Sequence, residues 1–181
     1  MIKATSQSTK VRVVSNSSLK NRKAGVSPNE LFAKGPNSLR PVVEAQVGFR
    51  SMEHIAAYDL TRAYNSVHTT DRQNHVRRLL WRRAKGDPWS IYIITRMHFG
   101  DVPSAAGLEE SKRLIGEAGA HICPITSRQI QLGYVDDGCC GGERELVDRM
   151  VGTETALDSG GFHYDGFIQK IFDIGGFNIK Y

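Results

Sequence analysis

Residues 130–142, IQLGYVDDGCCGG, set two adjacent carboxylates, Asp136 and Asp137, between an alternating apolar run and a glycine-rich one. Ile130, Leu132 and Tyr134 alternate with Gln131 and Gly133, the period-2 pattern of a half-buried strand. Asp137-Gly138 is a hairpin-turn dipeptide, so the stretch predicts strand, acidic turn, strand. Aspartate is common at turns because its side chain bonds nearby backbone amides, and taken alone Asp-Asp-Gly signals only a turn. Its second use is as an oxygen platform for a hard cation such as Mg²⁺, which takes one or two protein carboxylates. That use needs a third carboxylate on a neighbouring strand. Asp59 supplies it, at the end of the short apolar run His54–Leu60 (HIAAYDL), which predicts a buried central strand. The 77 residues from Asp59 to Asp136 leave room for intervening helices, so the two strands can lie side by side. Three carboxylates at one sheet edge repel each other unless a cation sits among them. Two cations ~3.5–4 Å apart would suit in-line phosphoryl transfer.

A chain of 181 residues holds one substantial domain, or one and a half. No run approaches the length of a membrane span, and the opening MIKATSQSTKVR lacks the apolar core of a signal peptide. An intracellular chain is therefore expected. The three cysteines, Cys123, Cys139 and Cys140, offer no C-x-x-C spacing for zinc and predict reduced thiols, two of them filling the strand after the acidic turn. The net charge of +5 is uneven, +7 over residues 1–50 and −2 over the remainder. A basic arm and a slightly acidic remainder suit polyanion binding at one end and metal binding at the other, although charge alone also fits a solvated surface.

Along the chain, Val11, Val13 and Val14 predict a short strand, and Ser27-Pro28-Asn29-Glu30 a capping box opening a helix to Ala33. A second helix is expected over Leu39–Phe49. Thr70-Asp71-Arg72-Gln73 is another capping box, predicting a helix to about Ala84 with Val76, Leu79, Leu80 and Arg83 on one stripe. Trp89–Met97 predicts a strand, Ser104–Glu117 a helix with Leu108, Leu114 and Ile115 inward, and Ala120–Ile125 a strand interrupted by Pro124. After the acidic hairpin, helices are expected over Glu143–Val151 and Tyr164–Ile174, separated by a polar connector at Gly152–Gly161. Gly175-Gly176 stops the second helix, and Phe177–Tyr181 starts a strand. The mixture predicts an α+β fold with helices packed on one face of an antiparallel sheet.

Several of these stretches resemble the ordered motifs of reverse transcriptases. Tyr58-Asp59-Leu60-Thr61-Arg62-Ala63-Tyr64 resembles motif A, and Tyr134-Val135-Asp136-Asp137 resembles motif C. Val11-Arg12-Val13-Val14 is similar to the fingers strand, and Gly35-Pro36-Asn37-Ser38-Leu39 to the stretch before the helix leading to motif A. Arg77-Arg78-Leu79-Leu80-Trp81-Arg82 resembles the Leu-Trp-Arg element, Met97-His98-Phe99-Gly100 with Ser104 motif B, and Gly175-Gly176-Phe177-Asn178-Ile179-Lys180 motif D. Order and spacing are most similar to BEL/Pao-type long-terminal-repeat retrotransposon polymerases, over roughly residues 10–181. The chain departs from the pattern at Ala105, where proline is usual, at Ser15-Asn16, where aspartate is frequent, and in the small Gly138–Gly142 run.

The resemblance implies the fingers and palm of a right-hand polymerase with RNA-directed DNA polymerase activity. Residues 1–53 would be a fingers-like segment, and 54–181 the palm with an interleaved fingers helix. Asp59 and Asp136, with the Leu60 carbonyl, would bind two Mg²⁺ ions, with Mn²⁺ as a substitute, and Asp137 would complete the acidic cluster. Tyr64 would be a steric gate against the 2′-hydroxyl, where spacing alone also fits a core aromatic. Arg12 would lie on the incoming triphosphate, Phe99 and Gly100 would line the nucleotide pocket, and Lys180 would reach the leaving pyrophosphate. The implied partners are an RNA/DNA primer–template and dNTPs, with no membrane. A thumb and RNase H would come from the rest of a polyprotein, so the chain is expected to be a polyprotein fragment or a degenerate copy. The implied setting is cytoplasmic, within a virus-like particle. Two other uses of the same residues stay open: a non-catalytic nucleic-acid-binding remnant, and an unrelated Mg²⁺ phosphohydrolase.

Overall fold

In the computed structural model the described residues are 15–36, 39, 41–152, 155–156, 162–163 and 165–181. The expected strand at Val11–Val14, Arg12 with it, and Asn37-Ser38 lie outside them. In chain order the elements are α1 (Pro28–Leu31), α2 (Val42–Arg50), β1 (His54–Thr61), α3 (Ala63–Ser66), α4 (Asp71–Asn74), β2 (Arg78–Trp81) and β3 (Ser90–Ile93). Then follow α5 (Ser104–Ala118), a 3₁₀ turn (Gly119–His121), α6 (Pro124–Ile130), β4 (Asp137–Gly142), α7 (Arg144–Val151), β5 (Thr155–Ala156), β6 (Phe162–His163), α8 (Phe167–Asp173) and β7 (Asn178–Lys180). The fold is mixed α+β with small antiparallel sheets. No helix among the described residues is long and apolar enough to cross a membrane. The chain divides into two units, one of residues up to Gly35 with His68–Ser104, the other of Pro36–Val67 with Ala105–Tyr181.

The second unit is built on a three-stranded sheet in the order β4-β1-β7, antiparallel throughout. β1 is central, as expected, but only one of its faces is buried. Ala56, Tyr58 and Leu60 turn inward, whereas Ile55, Ala57, Asp59 and Thr61 are exposed. The inward face packs on Leu108 of α5, Ile130 of α6, Val147 and Met150 of α7, and Phe167, Ile168, Ile171 and Phe172 of α8. Helices thus cover one face of the sheet, with Val147 and Met150 of α7 and Ile168, Ile171 and Phe172 of α8 turned inward. Leu114, expected inward, is 52% exposed, because the buried stripe of α5 runs instead through Leu108, Lys112 and Ile115. Gly152, left-handed at φ 84°, ends α7, and its N–H bonds the Asp148 carbonyl.

Two strands expected here do not form, one giving way to helix and the other to a helix end and a turn. Pro124 stands at the first position of α6, where a missing N–H costs nothing, so Ala120–Ile125 is a 3₁₀ turn leading into a helix. α6 runs on to Ile130, so no strand precedes the acidic turn, and Tyr134 makes only an isolated bridge to Asp137. The connector after α7 is not wholly irregular, since Thr155–Ala156 pairs with Phe162–His163.

In the first unit the Thr70 capping box is present, but α4 ends at Asn74. The helix expected to Ala84 gives way to a hairpin in which Leu79 faces Tyr92 and Leu80 faces Ile91. These cross-strand pairs of large apolar and aromatic groups favour strand pairing over a helical stripe. Arg77 fixes the start of the hairpin. Its Nη1 lies 2.5 Å from Asp101 Oδ2, both side chains are 4% exposed, and its guanidinium stacks 4.8 Å over the Phe32 ring. Ser17 Oγ donates to the other Asp101 oxygen. Arg77 is therefore a buried structural cation and not part of a surface basic patch, while Arg83, expected half-buried, is exposed. The Ser27 capping box is also present, opening the short α1.

Candidate functional site

The acidic turn is placed by strand register. In β1–β4 Asp59 pairs with Asp137 and Tyr58 with Gly138; in β1–β7 Asp59 pairs with Lys180. Directly opposed residues on an antiparallel pair point to the same face, so Asp59 and Asp137 share the exposed face of the sheet. The reversal itself is one residue-pair earlier than Asp137-Gly138. Tyr134 N–H donates to the Asp137 carbonyl at 2.8 Å, and Asp137 N–H to the Tyr134 carbonyl at 3.0 Å, leaving Val135 and Asp136 at the corner. Gly138 serves a different need, close approach of β4 to β1. A Cβ there would stand 2.6 Å from Tyr58 Cε2 and closer still to Cζ and Oη. The corner is tied to β1 by the Leu60 N–H, which donates to the Asp136 carbonyl at 3.0 Å. Leu60 itself is 2% exposed and anchors the strand end in the core.

The electrostatics follow from this placement. Asp59 has its pKa raised, first by partial desolvation and then by the negative charges of Asp136 and Asp137, with Lys180 opposing. Like charges directly across a strand pair are destabilising, and a cation between them would remove the penalty. Among the described residues no three His, Cys, Asp or Glu side chains already converge on one point. Asp59, Asp136 and Asp137 nonetheless present hard oxygen donors at one sheet edge. That donor set fits Mg²⁺, which needs only one or two carboxylates beside water and phosphate oxygens. The neighbouring thiols do not compete. Burial pushes Cys140 far up, and burial with the Asp137 charge raises Cys139, so both stay protonated. All three cysteines are free. A cleft of about 490 Å³ opens here, lined by Phe49, Ala57, Asp59, Asp137, Cys139 and Lys180 among others.

No protein-family model and no curated protein matches this chain. Tyr64 stands on α3, which follows β1 after a left-handed Arg62 at φ 56°. Its ring is partly buried against the core. Burial raises the pKa of its hydroxyl, as do the charges of Asp136 and Glu109. Asp59, Leu60, Tyr64, Asp136, Asp137 and Lys180 are thus brought together in one unit. Phe99, 73% exposed, and Gly100, at φ 95°, belong to the other unit.

Two residues beneath the turn escaped the sequence. Glu109 Oε1 accepts the Val135 N–H at 2.7 Å, and Lys112 Nζ lies 2.8 Å from the same oxygen. A signal was present: Lys112 falls on the Leu108–Ile115 stripe of α5, where a charge is out of place unless paired.

Proposed function

We propose that the chain is the palm, with interleaved fingers, of a reverse transcriptase similar to BEL/Pao retrotransposon polymerases, performing two-metal nucleotidyl transfer. The observation that carries this is the pairing of Asp59 with Asp137, with Asp136 at the corner beside Leu60. Asp59 and Asp136, with the Leu60 carbonyl, would hold Mg²⁺, and Asp137 would complete the acidic edge. When bound, the two ions would activate the primer hydroxyl and neutralise charge on the departing pyrophosphate.

The chain's own residues do the rest. Lys180, opposite Asp59 across β1–β7, offers a cation for the pyrophosphate from the other flank of the cluster. Tyr64, on α3 just after β1, would be the ring that excludes a 2′-hydroxyl. An RNA/DNA primer–template, dNTPs and the remaining polyprotein domains are the partners this function requires.

Primer extension on an RNA template with Mg²⁺ and dNTPs tests it, using this chain and a version extended through a thumb. Extension by either version that is abolished by Asp136→Asn supports the proposal. No extension by both, or extension unaffected by Asp136→Asn, overturns it.

The exposed Arg78, Arg83 and Lys85 on and beside the β2–β3 hairpin favour a second reading, a nucleic-acid-binding remnant without chemistry. That reading predicts salt-sensitive, sequence-independent binding unchanged by Asp136→Asn, with no extension.

A further inference from the structure

Glu109 and Lys112 lie one turn apart on α5, with side chains 7% and 2% exposed, and Nζ stands 2.8 Å from Oε1. A buried ion pair of this kind is a poor source of stability, since apolar side chains of similar volume often do as well or better. Its location needs another explanation. The Glu109 oxygen that meets Lys112 also accepts the Val135 N–H at 2.7 Å. Val135 sits at φ 54°, a backbone conformation that a β-branched residue adopts only when its surroundings impose it. Lys112 Nζ makes no aligned hydrogen bond among the described residues. Burial lowers the pKa of Lys112, and the charges of Glu109, Asp136 and Asp137 oppose that shift.

We infer that Glu109 and Lys112 are positioning residues for the acidic turn. Glu109 holds the Val135 N–H and so locks the left-handed corner that presents Asp136 and Asp137 beside Asp59. Lys112, with Nζ 2.8 Å from Glu109 Oε1, fixes that carboxylate. The turn is thereby formed before any cation arrives. The link to catalysis rests on the proposal that these aspartates take a divalent cation; the link to turn geometry does not.

Two readouts separate these layers: hydrogen exchange at the Val135 amide without metal, and Mn²⁺ affinity by electron paramagnetic resonance. Glu109→Met with Lys112→Met replaces the pair by apolar groups of similar volume, so the variant is expected to fold. It should exchange the Val135 amide about tenfold faster and bind Mn²⁺ about tenfold more weakly, the scale of one lost hydrogen bond to a charged group. Glu109→Gln with Lys112→Met keeps an acceptor and no net buried charge, and should return both quantities to within about threefold of the parent. Unchanged exchange in the Met/Met variant overturns the inference, as does failure of the Gln/Met variant to restore it. A Met/Met variant that does not fold also overturns it, because stability would then be the role of the pair. If the parent binds no Mn²⁺, the cation reading fails while the exchange data still decide the positioning role.

Discussion

Gly138→Ala probes the contact that sets the β1–β4 register. The new Cβ would fall within 2.6 Å of Tyr58 Cε2 and nearer still to Cζ and Oη. Tyr58 is 4% exposed, and its ring stands edge-on to Phe172 with centroids 5.4 Å apart, so it has nowhere to withdraw. Overpacking of this kind costs about 1–3 kcal/mol, and a rigid ring puts the cost near the upper end. Loss of unfolded-state entropy on replacing glycine returns roughly 0.4–1 kcal/mol. The net loss is about 2 kcal/mol, or a fall in Tm of roughly 4–8 °C for a chain of this size. Gly48→Ala is the control. Gly48 lies in α2 with nothing within 4 Å of a built Cβ, so alanine there should stabilise by about 1 kcal/mol. Urea and thermal unfolding followed by far-UV circular dichroism read both variants. A Gly138→Ala protein as stable as the parent would refute the close Tyr58–Gly138 packing, and with it the register that pairs Asp59 with Asp137.

The Tyr58 hydroxyl is buried without a hydrogen-bond partner among the described residues. Tyr58→Phe should therefore be neutral or stabilising by up to about 1 kcal/mol in the same unfolding assay, and a clear destabilisation would show that the hydroxyl is satisfied. Asp59 has a folded-state pKa above its unfolded value, so its ionisation weakens the folded state as pH rises through the window between the two. Asp59→Asn should accordingly raise the Tm of the metal-free protein at pH 7 and lose that advantage below about pH 3.8, the unfolded value; an advantage that persists at low pH would contradict the charge account. In a polymerising form, Tyr64→Ala should raise ribonucleotide over deoxyribonucleotide incorporation on the order of 100-fold while Tyr64→Phe keeps discrimination, since misplacing the reacting phosphate by ~1 Å has that effect. Equal discrimination by the alanine variant would make Tyr64 a core residue only.

The sequence carried the parts of this fold that have a strong period or a cap. β1, α5, α7 and α8 stand within a few residues of where apolar spacing put them, and both capping boxes open helices. The failures share a cause, a local pattern overridden by a partner distant in the chain. Val76, Leu79 and Leu80 have helical spacing, yet Ser90–Ile93 offers a strand to pair with and Arg77 is held by Asp101. Ile130, Leu132 and Tyr134 alternate, yet α6 extends through Ile130, whose side chain is fully buried in the helical layer. Asp59 near the end of β1, Asp136 at the turn corner and Asp137 at the start of β4 were legible from the short apolar run and the acidic turn signal. Glu109 was not, because its spacing to Lys112 reads as a solvated face until burial is known, and Lys112 left only the signal of a charge on an apolar stripe.

The central claim is that Asp59 and Asp136 serve one cation site, and localised cleavage tests it most directly. Fe²⁺ exchanged for Mg²⁺ generates hydroxyl radicals at the bound ion in the presence of ascorbate and peroxide, cutting the backbone only close by. Mass spectrometry of the fragments should show paired cuts beside Asp59 and Asp136, suppressed by excess Mg²⁺ and lost together in Asp136→Asn. Cuts at one of the two positions only, or cuts elsewhere that Mg²⁺ does not suppress, would contradict a shared site.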